Sequence, residues 1–531
     1  MRFLRSISLS LLLLLFSGMG IPVMSESAVL GGGTLRLARG TDPQTLDPAM
    51  MNDMEDVALF PLLFLPLVDV TGGTNLVACA AASWSVSLDS RIFTFQLRPG
   101  LKFSNGREVL ASDYAFAIKR TLDPATASFL ATYLKEVRGV KEFMSGRTNQ
   151  LAGVRAPALN TFVVELERPD PTFPYVLSCT LGTAVPREEV EGRGNVYAVR
   201  PVGNGPYMVK EWVRGSRLLL KRNPYYSGPE PQHFDRVDVF IGGDDTTRQM
   251  MFERGEADIG GFTLPRPILR RMNQDPRWRG LVEREPVIST YYVTLNTEIP
   301  PLDNLRVRQA INYAVDRDRR MGVRSGFYSH AEGPIPPGMP GFNPQLRGYR
   351  YDPEKSLQLL KDSGLQLPLR SELWHDPSDE SRLIVQGIQW DLHQVGIEIE
   401  LKSVAGSEMM AAAQTRGKVP MSLTYWSSAI PDPKDMLGMP FDGRAVTNEP
   451  TVNLAFYSNP QVTRLLDEAA LEANWPLRFQ LYQRAEELIV RDAPWIFLGH
   501  GAFFAIRQAW LKGPLLEPLW WLRFDRVWIE K

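Results

Sequence analysis

The sequence predicts a mixed α/β (α+β) chain folded as more than one lobe, and three observations carry that expectation. At 531 residues with 44% hydrophobic content, the chain exceeds the ~250–300 residues at which a single core stops growing. Stretches with the two-residue period of strands alternate with stretches of helical period. Neither internal repeats nor low-complexity tracts interrupt them, which argues against solenoids and long disordered linkers.

In the first half, Phe93, Phe95 and Leu97 alternate before Pro99-Gly100, which predicts a strand and a turn. A helix follows to about Arg120, with Ser112 or Asp113 expected as its cap. Phe162, Val164 and Leu166 form a second alternating set, ended by Arg168-Pro169, and Val237, Val239 and Ile241 form a third. Asp244-Asp245 then reads as the cap of a helix running to Gly255.

The second half is richer in helices. Val307, Ala310, Ile311, Ala314 and Val315 recur at helical spacing after Asp303-Asn304. Asp352-Pro353 opens another helix, as cap and first-turn proline, and Gly364 closes it. Leu383, Ile384, Ile388, Leu392 and Val395 describe a helix that stops at Gly396, after which Ile397, Ile399 and Leu401 alternate as a strand. Two further amphipathic helices run through Val462–Ala469 and Leu477–Leu488, separated by Asn474-Trp475-Pro476.

Ahead of all these elements, Arg2 and Arg5 precede an apolar run from Ile7 to Phe16, followed by Ser17, Gly18 and Gly20. This is the pattern of a secretory signal peptide, assigned to residues 1–27, with Ser25 or Ser27 suited to cleavage. A run of about ten residues is half the ~20 a transmembrane helix needs. No cysteine lies near the cut, so a soluble, exported chain without a lipid anchor is expected.

Composition excludes several function classes. The 59 Lys+Arg balance 60 Asp+Glu with no long run of one sign, so nothing marks a nucleic-acid groove or a polybasic membrane patch. His233, His330, His375, His393 and His500 are scattered, and no tight pair suits a metal. There is no G-x-S-x-G elbow or P-loop lysine, and Gly203-Asn204-Gly205-Pro206 breaks off before a dinucleotide fingerprint is complete. Acid pairs such as Glu188-Glu189 and Asp244-Asp245 read as solvated or capping charges, so no catalytic residue, cofactor or metal is expected. Cys79 and Cys179 are a candidate disulfide in an oxidising compartment.

Several segments together resemble the bacterial extracellular solute-binding protein family 5, the dipeptide- and oligopeptide-binding proteins of ABC importers. They are Gly32-Gly33-Thr34-Leu35, Thr45-Leu46-Asp47-Pro48, the run from Phe93 to Gly106, Pro201–Tyr207, Arg222–Tyr226, Gly255–Ile259 and, most distinctive, Arg306–Arg317. Their number, order and spacing span nearly the whole mature chain. The resemblance implies two lobes joined by a hinge, with an extra subdomain inserted in the first. By analogy, lobe I takes residues 28–67, 180–291 and 499–531, the insertion takes 68–179, and lobe II takes 292–498. The hinge is expected near Tyr292, Val293 and Gly499. It also implies a periplasmic monomer that closes on a small-molecule or peptide-like solute and presents it to an inner-membrane permease, without chemistry.

The resemblance also locates a candidate site. The stretch Tyr425-Trp426-Ser427-Ser428-Ala429-Ile430-Pro431-Asp432-Pro433 is similar to a family segment reading Trp, a variable residue, a small residue, Asp, Tyr, Pro. That segment edges the cleft, its backbone pairs with an extended ligand, and its Asp takes the ligand's ammonium. Here Ala429 stands at the Asp position and Ile430 at the Tyr position. A buried ammonium without its carboxylate costs ~3–5 kcal/mol, and ~1.4 kcal/mol is tenfold in affinity, so the expected ligand is one with no obligatory free α-amine. An oligosaccharide, a modified peptide or another polar metabolite fits, unless Asp432, Asp435 or Asp53 compensates. Asn52, Asp53 and Met54 match the family's cleft-facing loop from the other lobe. The competing expectations are an exported hydrolase acting on such solutes and a binding protein serving a sensor or chemoreceptor.

Overall fold

Alternation in Arg236–Ile241 puts Val237, Val239 and Ile241 on one face, and this strand forms the middle of a four-stranded sheet. It pairs parallel with Thr34–Arg39 and antiparallel with Arg217–Arg222, which pairs in turn with Tyr207–Val213. The buried face joins Leu35, Leu37, Leu218 and Leu220 to Phe60, Phe64 and the C-terminal Leu511, Phe524 and Val527 in one core. We describe the fold from a computed structural model over residues 32–51, 53–260, 266–322, 328–446, 450–519 and 521–530, and the expected signal peptide lies outside them.

A second core belongs to an antiparallel sheet in the order Ala81–Val86, Ile92–Leu97, Thr161–Glu165, Val154–Ala158. Phe93, Phe95, Phe162 and Val164 pack there against Tyr114, Ile118 and Leu122 of the helix Ala111–Leu122. The expected cap of that helix is displaced. Leu110 is the N-cap residue, and Asp113, three positions inside, reaches back to accept from the Leu110 amide at 2.8 Å. A carboxylate at this position serves the helix start as well as one at the cap would, because either satisfies an orphan N–H.

The remaining lobe is built on a six-stranded sheet in the order Tyr328–Ser329, Trp495–Ile506, Val282–Leu295, Met421–Ser427, Leu369–His375, Ile397–Ser403. Both faces are covered. Tyr292, Trp495 and Phe497 face the helices Pro460–Leu471 and Trp475–Asp492, while Val293, Leu295 and Leu423 face Leu305–Ala314 and Asp379–Gln394. Asn304, Asp352, Asn459 and Asn474 each cap their helix through the side chain, as the Asn/Asp-before-helix pattern implies.

The two longest strands, Val282–Leu295 and Trp495–Ile506, tie the lobes together. Ala505 sits in the core of the first lobe, whereas Phe497 and Tyr292 sit in that of the second. Their antiparallel pairing loses register between Pro286 and Thr290, and again between Tyr291 and Tyr292, where Leu498 is left without a partner. At the crossover, Thr290 Oγ1 lies 2.8 Å from the Pro334 carbonyl and 2.9 Å from His500 Nδ1.

The expected disulfide is absent: Cys79 and Cys179 are both free thiols. The segment through Leu67 bonds to both neighbourhoods, its carbonyl accepting from the Cys79 amide and its own amide donating to the Gly182 carbonyl, and the two thiols line one cavity without a bond between them. Burial raises both thiols, Cys179 to about 11, which keeps them protonated and unreactive.

Candidate functional site

The strand Met421–Ser427 ends at the candidate stretch, and its pairing shows which parts of that stretch are open. One edge is fully paired with Val282–Leu295, from Leu295 opposite Met421 to Ser289 opposite Ser427. On the other edge, Leu369–His375 pairs only with Met421 and Ser422. From Leu423 to Ser427 that edge carries no strand partner among the described residues, which is the geometry that strand addition uses.

Three tyrosines gather on this part of the sheet. Tyr425, 55% exposed, stacks on its cross-strand partner Tyr291 with ring centroids 5.1 Å apart and planes at 24°. Tyr328 meets Tyr291 edge-on at 4.6 Å. Strand alternation turns Trp426 to the opposite face, where it packs against the second-lobe core and its Nε1 donates to the Asp435 carbonyl at 3.0 Å. Trp426 therefore supports the loop from behind, while Tyr425 presents an open ring.

The loop after the strand is held by two buried carboxylates. Asp435 Oδ2 accepts from the Ala429 amide at 2.7 Å and from Ser428 Oγ at 3.0 Å. Burial is the main cause that raises the Asp435 carboxyl above its ordinary value, despite these two donors. Asp432 caps the helix Pro433–Phe441 at the Lys434 amide and forms a two-pronged ion pair with Arg478, at 2.9 and 3.1 Å. Both side chains of that pair are fully buried.

Several expected site residues have other employment here. Ser428 is buried, and its Oγ also lies 2.6 Å from the Ile430 carbonyl, so its one hydroxyl hydrogen is shared between two acceptors inside the loop and it is a loop support rather than an open polar contact. Asp53 caps the short helix Met54–Val57 through the Glu55 and Asp56 amides, and Met54 beside it is 36% exposed. Among the described residues, no hydrogen bond or ion pair joins either to the 425–429 stretch, and Asn52 lies outside the described residues. Ser427 remains exposed and Ala429 half-buried. Of the expected hinge residues, Tyr292 and Val293 are buried within the second-lobe sheet, and Gly499 pairs with Tyr291 beside the Leu498 irregularity.

The sequence did not flag the contacts that the loop makes across the lobes. Ile430 is buried in the core that holds Phe93 and Phe162, which is built from the first half of the chain. Lys434 Nζ reaches Asp170 Oδ2 at 2.6 Å, across 264 residues of sequence. Burial opposes ionisation of Asp170, but the Lys434 ammonium and the Thr172 donors outweigh it and hold the carboxyl below its usual range. A separation of that size leaves no local sequence signal.

Comparison with known proteins agrees with this geometry. The family model "Bacterial extracellular solute-binding proteins, family 5 Middle" matches residues 75–448. Heme-binding protein A of Haemophilus influenzae is 27% identical over 480 residues, covering 86% of this chain and 85% of that protein. The dipeptide-binding protein of Escherichia coli is 26% identical over 534 residues, covering 97% and 98%. Among solved structures, clavulanic acid biosynthesis oligopeptide binding protein 2 superposes with a TM-score of 0.89 at 25% identity, covering 95% of this chain and 96% of that one.

Proposed function

The chain belongs to the bacterial extracellular solute-binding proteins, family 5, and from that premise we propose that it is the periplasmic solute-capturing component of an ABC importer whose ligand needs no free α-amine. A solute enters between the lobes, the lobes rotate about the paired crossover strands, and the closed complex is delivered to an inner-membrane permease. Ligand contacts to both lobes supply the differential affinity that shifts the population toward closure. The protein acts as a monomer and breaks no bond.

One observation carries the ligand class: neither carboxylate of the candidate loop is open to solvent, Asp432 being fully buried and Asp435 6% exposed. Asp432 is committed to Arg478 and Asp435 to the Ala429 amide and Ser428. Asp53, from the other lobe, caps its own helix through Oδ1 and makes no hydrogen bond or ion pair to the 425–429 stretch among the described residues. Position 429 itself carries only a methyl group. An incoming ammonium would find no anion there, at a cost of ~3–5 kcal/mol if buried. The open edge from Leu423 to Ser427 and the exposed Tyr425 ring suit an extended solute that pairs through amide-like groups and lays a flat or sugar-like face on an aromatic ring. A capped or modified peptide or an oligosaccharide has these properties. The printed names of the relatives, one heme-binding and one dipeptide-binding, support a family scaffold that accommodates more than one ligand class.

A histidine–hydroxyl contact such as Thr290–His500 is a component of hydrolytic sites, but here both residues are buried and the ring is held neutral. Its position inside the crossover supports a structural use. Titration calorimetry with matched peptides, free and N-acetylated, tests the proposal. Acetylation is expected to change affinity by less than tenfold. A loss of a hundredfold or more on acetylation would show that an ammonium site exists after all.

A further inference from the structure

The Lys434–Asp170 pair and the Ile430 contact lie in the loop that forms the candidate site, yet both point across the lobes rather than into their own. We infer that Lys434 and Asp170 form a built-in inter-lobe latch, which supplies from the chain itself an ammonium–carboxylate link between the lobes and makes closure partly independent of ligand. The inference rests on the two-lobed solute-binding reading above and deepens it.

Each end of the latch is anchored before the lobes meet. On the second lobe, the Asp432–Arg478 pair and Asp435 clamp the loop on both sides of Pro433, so Lys434 projects from a rigid first helical turn. On the first lobe, Asp170 Oδ1 accepts from Thr172 Oγ1 at 2.6 Å and from the Thr172 amide at 3.0 Å, leaving Oδ2 aimed at Lys434. The Asp170 side chain is 11% exposed and that of Lys434 37%, so the pair is partly desolvated where it forms. Apolar contacts surround the pair. Ile430 is buried in the first-half core, and Tyr175, on the helical turn Phe173–Val176 that follows Asp170, packs against that core and the second-lobe core together. Opening the lobes would therefore expose Ile430 and separate a partly desolvated ion pair. Both changes disfavour the open form whether or not a solute is present.

The consequence is a division of labour. Where the lobes are tied by the protein's own charges, the ligand need contribute only the remaining difference between open and closed states. A weakly polar or uncharged solute can then achieve closure without a salt bridge of its own.

The test is single-molecule energy transfer between dyes on exposed positions of the two lobes, in full-length mature protein stripped of solute. Asp170→Asn keeps the Oδ1 acceptor for Thr172 and removes only the charge, and Lys434→Met keeps the aliphatic stem. Each is expected to lower the closed-to-open ratio at least tenfold, the double variant no further than either alone, and Lys434→Arg to keep the wild-type ratio. An unchanged ratio in both single variants, with the urea midpoint of each within error of wild type, overturns the latch. Because no solute enters this measurement, that result would leave the solute-binding proposal standing. Conversely, failure to bind any solute would leave the latch measurement intact.

Discussion

Two buried carboxylates in the second lobe have opposite fates, and their neighbours explain why. Asp432 has a guanidinium at 2.9 Å with both partners sealed from solvent. Removing one partner of such a pair strands the other, which typically costs ~3–5 kcal/mol. Asp432→Ala should therefore lower stability by about that amount in urea denaturation, and the double variant with Arg478→Met should recover part of the loss. Glu486, two turns along the same helix from Arg478, has no cation partner among the described residues. Its Oε1 accepts from the Ile335 amide at 3.0 Å, and burial is the chief cause that raises the carboxyl to about 8. A raised carboxyl stabilises fully below its unfolded value near 4.5, and that contribution is lost as pH rises through 8. Glu486→Gln keeps the acceptor and should be the more stable form at pH 9, with the advantage gone at pH 4, as read from urea midpoints at the two pH values.

At the scale of elements, the crossover strands carry a pH response of the other sign. His500 is buried against Thr290, and desolvation lowers its ring to about 3. Its neutral form stabilises the fold above the unfolded value of 6.5, and the contribution is lost as pH falls toward 3. At pH 4.5 the loss should reach about 2–3 kcal/mol by linkage. His500→Gln should flatten that acid limb between pH 7 and 4.5 in the same denaturation assay. If the variant and wild type keep parallel profiles, the histidine is not the group responsible.

Much of the element structure was legible because its signals are local. Period-two apolar sets marked Ile92–Leu97, Thr161–Glu165 and Arg236–Ile241, and Asn304, Asp352 and Asn474 stand at the helix starts as caps. Leu110 was missed because its capping works through Asp113, three residues away. The free state of both thiols was hidden because two cysteines a hundred residues apart in sequence carry no signal of their distance in space. In the candidate site, the resemblance found the 425–433 stretch, but the destinations of its side chains were invisible. Trp426 and Ser428 turn inward, and Lys434 finds a partner on the other half of the chain. Arg308 and Arg317, in the most distinctive family segment, donate to main-chain carbonyls of the helix end and strand around them. That segment is thus a staple of the second lobe.

At the scale of the whole molecule, capture is a population shift between lobes that share two long strands and touch through the 430–434 loop and through Val70, Tyr175 and Leu519. Solute at a hundredfold excess over its Kd should stabilise the folded protein by about 2.7 kcal/mol, visible as a rise in thermal midpoint that scales with solute concentration. The ligand class follows from a methyl group at Ala429 beside two buried carboxylates, Asp432 ion-paired with Arg478 and Asp435 holding the Ala429 amide. Native mass spectrometry of protein purified from the periplasm tests it most directly. An intact co-purified solute that carries no free α-amine is the expected result. A plain dipeptide or tripeptide released from the cleft would contradict it.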